Sequence, residues 1–261
     1  MHAALYVSKT GLSAQDKQLT TISNNLSNVG TVGFKRDRAV FEDLLYQTQR
    51  QPGGLANQNN ELPSGLQLGT GVRVVATQKE FTPGSLEVTD QALDVAINGR
   101  GFIQVLQPDG NLAYTRNGQL QINGEGELVT NSGLLIEPGI VIPENTSQIN
   151  ISEDGIVSAH FTDDPQPQEI GQIQLADFIN PSGLEAIGGN LYVETVASGN
   201  PVIGAPSEEG MGSLKQGMLE SSNVDIVQEM VDMISTQRAY ELNSKVVSSA
   251  DQMLQYINQT L

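Results

Sequence analysis

The side chains able to do chemistry in this sequence are few, and their spacing argues against catalysis. His2 and His160 are the two imidazoles. His2 sits in the terminal segment and His160 among turn residues, and neither has Ser and Asp partners placed for a triad. The acidic pairs Asp163-Asp164 and Glu208-Glu209 are of the right type for glycoside cleavage. Both stand in polar, proline-containing loops where nothing would raise a carboxyl pKa. Gly69-Thr-Gly71 and Gly99-Arg-Gly101 suggest phosphate-cradling loops, yet no helix follows at the required spacing and no Gly-Lys-Ser/Thr exists, so they read as hairpin turns. Asp109-Gly-Asn111 and Asn123-Gly-Glu125-Gly-Glu127 offer oxygen ligands without the spacing or closing Glu of a calcium loop. With no cysteine there are no disulfides, thiolate metal sites or thiol nucleophiles. The expectation is a chain that is not an enzyme, with no catalytic, cofactor-binding or metal-binding residues.

Composition points the same way. Of 261 residues only 16% are charged and 5% aromatic, with no Trp and 27 Gly, which suits short strands and turns. The net charge of −17 is unevenly spread, residues 1 to 50 holding six Lys/Arg against four Asp/Glu. General nucleic-acid binding is therefore not expected. The one basic cluster, Lys35-Arg36-Asp37-Arg38, is diluted by Asp37, Glu42 and Asp43 and reads as a solvated or subunit-facing surface. No window approaches the roughly 18 apolar residues of a spanning helix, so no membrane insertion is expected. The first residues show no basic stretch followed by an apolar run, so no cleaved signal peptide is expected either.

Two elements at the chain ends must organise whatever lies between. Leu5, Leu12, Leu19 and Leu26 recur every seventh residue, joined by Ile22 and Val29; Ile226, Met233, Tyr240, Val247, Leu254 and Leu261 do the same, thickened by Ala250 and Ile257. Such spacing predicts two helices that pair as a coiled coil, with each other and with copies from other subunits. The first should run from Ala3 to Val29, about 40 Å at 1.5 Å per residue, closed by Gly30 in the left-handed conformation. Its poor helix formers make it marginal alone, and it is expected to be disordered in the free monomer. The second should be capped by Ser222 or Asn223, with Asp225 near the positive end of its dipole.

Between them, Gln47 to Gln67 reads as an extended arm or long loop. Strands begin at Gly71–Thr77 and Phe81–Val88. They become dense from Leu93, where Asn98-Gly, Asp109-Gly, Asn117-Gly and Asn123-Gly punctuate a run of hairpins. His160–Glu169 reads as a loop, Leu191–Val196 as the last good strand and residues 197–217 as a return arm. The fold class is α+β: discontinuous N- and C-terminal helices forming a coiled coil, an inserted mainly antiparallel β domain and an extended β-rich arm. The expected divisions are 1–33 with 222–261, 34–92 with 205–221, and 93–204 as the outer β domain.

Ser23-Asn-Asn-Leu-Ser-Asn-Val-Gly-Thr-Val-Gly-Phe-Lys35 resembles the N-terminal signature of the flagellar axial proteins, the rod and hook subunits. Asn223 to Val247 is similar to the C-terminal signature of that family, and Leu93–Phe102 and Tyr114-Thr-Arg-Asn-Gly118 to its central β-domain signature. The resemblance covers nearly the whole chain. Asn24, Asn25, Asn28, Gly33, Phe34, Lys35, Gln237, Arg238 and Tyr240 are the signature residues carried over; Ser27 and Gly30 depart from the commoner Ala and Asn. The arm, Gln47–Gly53 followed by Leu62–Arg73, resembles the segment that marks distal rod subunits and that hook subunits usually lack.

The resemblance implies a structural subunit of the distal rod, stacking helically into a tubular drive shaft that carries torque from motor to hook. It implies export through the flagellar type III apparatus without a cleaved signal, and a position spanning the periplasm. The partners implied are the chain itself, other rod subunits, the hook subunit or hook junction, and the periplasmic and outer-membrane bushing rings. A proximal rod or hook subunit remains open as an alternative, as does a peptidoglycan-binding or cleaving surface protein from a different class.

Overall fold

The computed structural model describes residues 2–51, 55–57, 60–61, 64–161, 166–208 and 210–260. Asp163, Asp164, Glu209 and Leu261 lie outside the described residues. The chain divides into two units, each built from separated stretches of sequence: residues 1–26, 37–78 and 225–261 in the first, 27–36 and 79–224 in the second.

The first unit holds the two long helices, α1 (His2–Ser27) and α2 (Ile226–Thr260). In α1, three threonines that would otherwise weaken the helix return their hydroxyls to backbone carbonyls of the preceding turn: Thr10 to Val7, Thr20 to Asp16 and Thr21 to Lys17. α2 starts later than its expected cap. Asp225 is the N-cap, its carboxylate accepting from the amides of Val227 (2.9 Å) and Gln228 (3.2 Å). Asn223 is committed elsewhere, as described below.

Strand Asp37–Asp43 pairs with Val72–Lys79, and Tyr46–Arg50 pairs antiparallel with Leu66–Gly69. The segment expected as an arm or long loop therefore contains a ladder, whose strand residues are all exposed. The expected strand near Val72 is present. Its partner at 37–43 falls on the basic cluster and its sequel, where charge rather than alternation dominates the sequence.

The second unit is mostly antiparallel β-structure. Its main sheet runs Leu120–Ile122, Leu128–Thr130, Leu135–Glu137, Phe102–Leu106, Leu112–Thr115, Leu191–Val193, Glu185–Gly188; Leu175–Asp177 joins Phe102–Leu106 and carries Val202–Gly204. One face buries an aliphatic core including Ile103, Val105, Leu128, Ile136, Ile173 and Leu175. A second cluster is aromatic: Phe102 stacks edge-on against Phe81, Phe178 and Tyr192, and Tyr114 against Phe178. Thr146–Ile151, Ile156–Phe161 and Gln168–Gln172 form a separate three-stranded sheet, which places His160 on a strand rather than in a loop.

Two further strand pairs close the unit and correct the expected return arm. Ser213–Gln216 pairs with Val95–Asn98, and Met218–Glu220 with Leu86–Val88. With Val202–Gly204, three strands among the described residues thus follow Leu191–Val193. Their Gly, Ser and Pro content hid them, because edge strands of three or four residues need little apolar alternation. The helix stop also differs from expectation: α1 ends in a turn at Asn28–Thr31, and Gly33, not Gly30, takes the left-handed conformation, with φ +70°.

Candidate assembly surfaces

In the first unit, α1 and α2 meet through polar side chains at two levels. Asn25 donates from Nδ2 to Glu229 Oε2 at 3.3 Å, and Asn243 donates to Gln15 Oε1 at 3.1 Å. Between them the two contacts run the helices in opposite directions. Gly11 lies beside Asn243, where even a Cβ would stand 3.2 Å from its amide nitrogen. Asn25 also binds the backbone on both sides of one residue, its Oδ1 accepting from the Asp37 amide (2.9 Å) and its Nδ2 donating to the Asp37 carbonyl (2.8 Å). One buried amide thus fixes both the partner helix and the strand that follows the signature loop.

The seven-residue spacing of α2 is real, but its inner line is offset. Glu229, Thr236 and Ala250 are buried, and Asn243, in the same heptad position, is half-buried. Of the residues expected to form the seam, Ile22 is buried; Leu5, Leu12, Leu19, Leu26, Val29, Met233, Val247 and Leu254 are half-buried; Ile226 and Tyr240 are exposed. Ile257 lies on α2, and Leu261 lies outside the described residues.

The outer face of α2 is apolar. Val227 (71%), Met230, Val231, Ile234, Leu242 (64%), Val246 and Met253 are exposed, and Val231, Ile234, Ala239 and Leu242 with Ser235 and Arg238 line a groove of about 500 Å³. Such an exposed apolar stripe is a candidate contact surface. A further recess of about 820 Å³ lies where Leu5, Tyr6, Val7 and Lys9 of α1 face Gln47, Leu68 and Thr70 of the exposed ladder.

In the second unit, the signature loop is locked by a buried charge cluster. Lys35 is fully buried and donates from Nζ to Glu220 Oε1 (2.7 Å) and to the Thr82 carbonyl (2.8 Å). Arg116 donates to the other Glu220 oxygen (3.2 Å) and to the Gly99 carbonyl (2.7 Å), and its guanidinium stacks over Phe102. Burial is the main cause holding the Lys35 ammonium below its ordinary pKa; Glu220 pulls it up and Arg116 pushes it down. The Arg116 Nε–H has no partner in this cluster. Gly33 is required here twice over, by its φ and because a Cβ would come within 2.7 Å of the Arg116 backbone. Phe34 is buried beneath the Lys79 ammonium, 5.3 Å away. Asn223 completes the lock, accepting from the Arg36 amide (2.7 Å) and donating to the Glu80 carbonyl (2.7 Å).

Sequence reasoning named Lys35 but missed Glu220 and Arg116 as its partners. Arg116 lay within a recognised motif, while Glu220 had no local signal because its meaning depends on a residue 185 positions away. Of the remaining signature residues, Asn28 takes a hydrogen bond from the Thr31 hydroxyl, whereas Asn24, Gln237, Arg238 and Tyr240 lie at the surface.

The groups with a chemical look serve their own turns. Asn123 accepts from the Glu125 and Glu127 amides and donates to the Glu127 carboxylate. The Asp109 carboxyl is held below its usual range by the Asn111 side chain and amide, the opposite of what a general acid needs. Arg100, between Gly99 and Gly101, pairs with Asp177 at 3.0 Å. Among the described residues no group of His, Asp and Glu is placed to hold a metal ion, and no helix is long and apolar enough to cross a membrane.

Comparison with known proteins covers the chain from end to end. Residues 5–35 match the family described as flagella basal body rod protein, residues 96–159 the flagellar hook protein FlgE/F/G D1 domain, and residues 215–260 the flagellar basal body rod FlgEFG protein C-terminal family. A flagellar basal-body rod protein FlgG of Buchnera aphidicola from Schizaphis graminum is 56% identical, with 99% of this chain and all of the relative aligned. The FlgG of Borreliella burgdorferi is 49% identical across 99% of this chain and 98% of its own length. The flagellar hook-basal body complex protein FlhP of Bacillus subtilis is 32% identical, with 99% of each chain covered.

Proposed function

This chain belongs to the FlgE/F/G family of flagellar rod and hook proteins, and from that premise we propose that it works by polymerising through its terminal helices. It is a structural subunit of the distal rod, in the flagellar basal body. The observation that carries the mechanism is the outer face of α2, where Val231, Ile234 and Leu242 remain exposed after α1 has taken the inner line. Burying that face against helices of neighbouring copies yields about 25 cal/mol per Å² of apolar surface, enough to drive ordered stacking once several contacts form together. Leu254 on α2 is assigned to the same assembly region, and Ile257 and Leu261 are assigned to it by the seven-residue spacing of the sequence alone.

In this reading the chain has no catalytic role and needs no cofactor. Copies stack into a tube that spans the periplasm and transmits torque to the hook. Further contacts are with other rod subunits, the hook or hook junction, and the bushing rings, and the chain reaches its place through the flagellar export apparatus without a cleaved signal. The ladder of Tyr46–Arg50 with Leu66–Gly69 is the element best suited to brace one copy against the next, since all of these strand residues are exposed.

Electron microscopy of concentrated purified protein, with immunogold location of the chain in isolated basal bodies, tests this. Rods or tubes, and label along the distal rod, are expected. Protein that stays monomeric at high concentration, or label confined to the hook or to the base of the rod, overturns it.

A further inference from the structure

One corner of the β unit displays exposed apolar side chains on loops braced by hydrogen bonds. Ile179 is 85% exposed and Val196 fully so, on neighbouring loops tied together by hydrogen bonds. Asn180 donates to the Ala197 carbonyl (3.0 Å), and the Thr195 hydroxyl donates to the Gly183 carbonyl (2.6 Å). Ser198, buried beneath them, donates to the Thr195 carbonyl at 2.9 Å. Gly183 packs so closely on Ala197 that a Cβ would meet its carbonyl carbon at 2.7 Å. A mobile loop exposing two aliphatic tips would mean little; a braced one is preorganised to enter a pocket.

A large recess lies on the same unit. It measures about 1010 Å³ and is lined by the aliphatic Leu120, Ile122, Val141 and Ile149 together with polar residues such as Gln121, Asn123 and Gln148 and the exposed Glu125 and Glu144. The cavity borders Leu120–Ile122, the first strand in the order of the main sheet, while the corner leads directly into Glu185–Gly188, the last. Val196 follows Leu191–Val193, near the other end of that order, and Ile179 follows Leu175–Asp177 on the central strand, so knob and hole lie beside different strands of one sheet. Arg100, bound to the Phe178 carbonyl and Asp177 beside the knob, brings a cation to a unit that carries only five other Lys/Arg against twenty Asp/Glu.

We propose that the Ile179–Val196 corner of one copy seats in the Ile122–Val141 cavity of the next, with Arg100 facing Glu125 or Glu144. The contact is heterologous, joining two different surfaces, so each copy keeps one of each free for a further neighbour; repetition extends the row, as a filament requires and a two-fold dimer does not. A second copy is the occupant that fits, since one chain carries both halves of the pattern: an apolar knob with a cation beside it, and a recess holding aliphatic side chains and two exposed carboxylates. This inference rests on the polymerisation proposed above and adds which surfaces of the β unit meet.

The absence of native cysteine makes the test direct. In polymers of the Val196→Cys/Val141→Cys double variant, mild oxidation should produce a ladder of disulfide-linked multimers, while each single variant stays uncrosslinked. Mixing the two single variants should give dimers only. The companion variant Ile179→Asp/Val196→Asp, altering exposed positions, should keep its melting temperature and lose at least tenfold in polymer yield. Normal polymers without the ladder, or Val196→Cys crosslinking to itself, overturn the contact and leave polymerisation standing. Failure of the wild-type chain to polymerise overturns both.

Discussion

Asn25 and Glu229 lie 204 residues apart in the chain, are each 1% exposed, and share a hydrogen bond of 3.3 Å. Because the same Asn25 amide also holds both backbone groups of Asp37, it joins α1, α2 and the first strand. Asn25→Ala removes the donor to Glu229 and strips two backbone groups of their partners. The first unit should lose about 2–4 kcal/mol, on the order of 1–3 kcal/mol per buried group left unsatisfied. Urea denaturation followed by helix circular dichroism measures it; a change within about 0.5 kcal/mol, typical of a surface site, contradicts this role.

The Lys35–Glu220–Arg116 cluster makes a pH-dependent prediction. Lys35 has a folded pKa lowered from 10.5, chiefly by burial, so between the lowered value and 10.5 the unfolded chain binds more protons at this site than the folded one. Stability contributed by Lys35 therefore rises with pH across that window and levels above 10.5. Lys35→Met should abolish this rising component when unfolding free energies are compared at successive alkaline pH values. A parallel pH dependence in the two proteins counts against it.

Removing Glu220 is the severe change at this cluster. Glu220→Ala leaves two buried cations facing each other without their shared carboxylate, and a loss of about 3–5 kcal/mol is expected, as for other broken buried pairs. Thermal unfolding of the β unit is the readout. A shift smaller than that of an exposed-pair control such as Glu42→Ala, whose partner Arg73 is well exposed, goes against the assignment.

Two glycines in the signature loop should behave oppositely. Gly33→Ala meets both a left-handed φ and a backbone clash, and should cost more than about 1–2 kcal/mol. Gly30→Ala meets nothing within 4 Å and should be neutral or stabilising by up to about 1 kcal/mol. Melting temperatures of the two variants decide the matter, and equal losses would show that the turn is not held as described.

Leu242→Asp on the outer face of α2 should leave helix content unchanged and block rod growth, read by counting rods in basal-body preparations. The same proteins offer a salt test. Copies carrying a net charge of −17 repel at long range, so raising ionic strength should accelerate assembly of the wild-type chain. Slower assembly at high salt would place attraction between opposite charges, rather than apolar burial, at the centre of the process.

The periodicity of both helices and the hairpin run were legible because they are local. Facing was not. In α2 the seven-residue lines through Ile226 and Glu229 are equally regular, and only the positions of Asn25 and Gln15 on α1 decide that the polar one turns inward. The cap moved from Ser222 or Asn223 to Asp225 for the same reason: Asn223 is claimed by Arg36 and Glu80, far away in sequence. Short edge strands such as Val202–Gly204 and Ser213–Gln216 owe their existence to a neighbour rather than to their own composition. Glu220, the centre of the buried cluster, is a lone acid in a polar stretch until Lys35 and Arg116 arrive.

The bond from Lys35 to Glu220 also sets a timetable. It joins residues 185 positions apart, and the Gly33 amide binds the Glu220 carbonyl at the same junction. Closing so long a loop is slow relative to forming hairpins, and it cannot begin until the partner strand exists. In a chain that emerges amino end first, this junction therefore stays open until residue 220 has arrived. The latch engages only when Met218–Glu220 has come through, so completion of this unit is coupled to delivery of nearly the entire polypeptide.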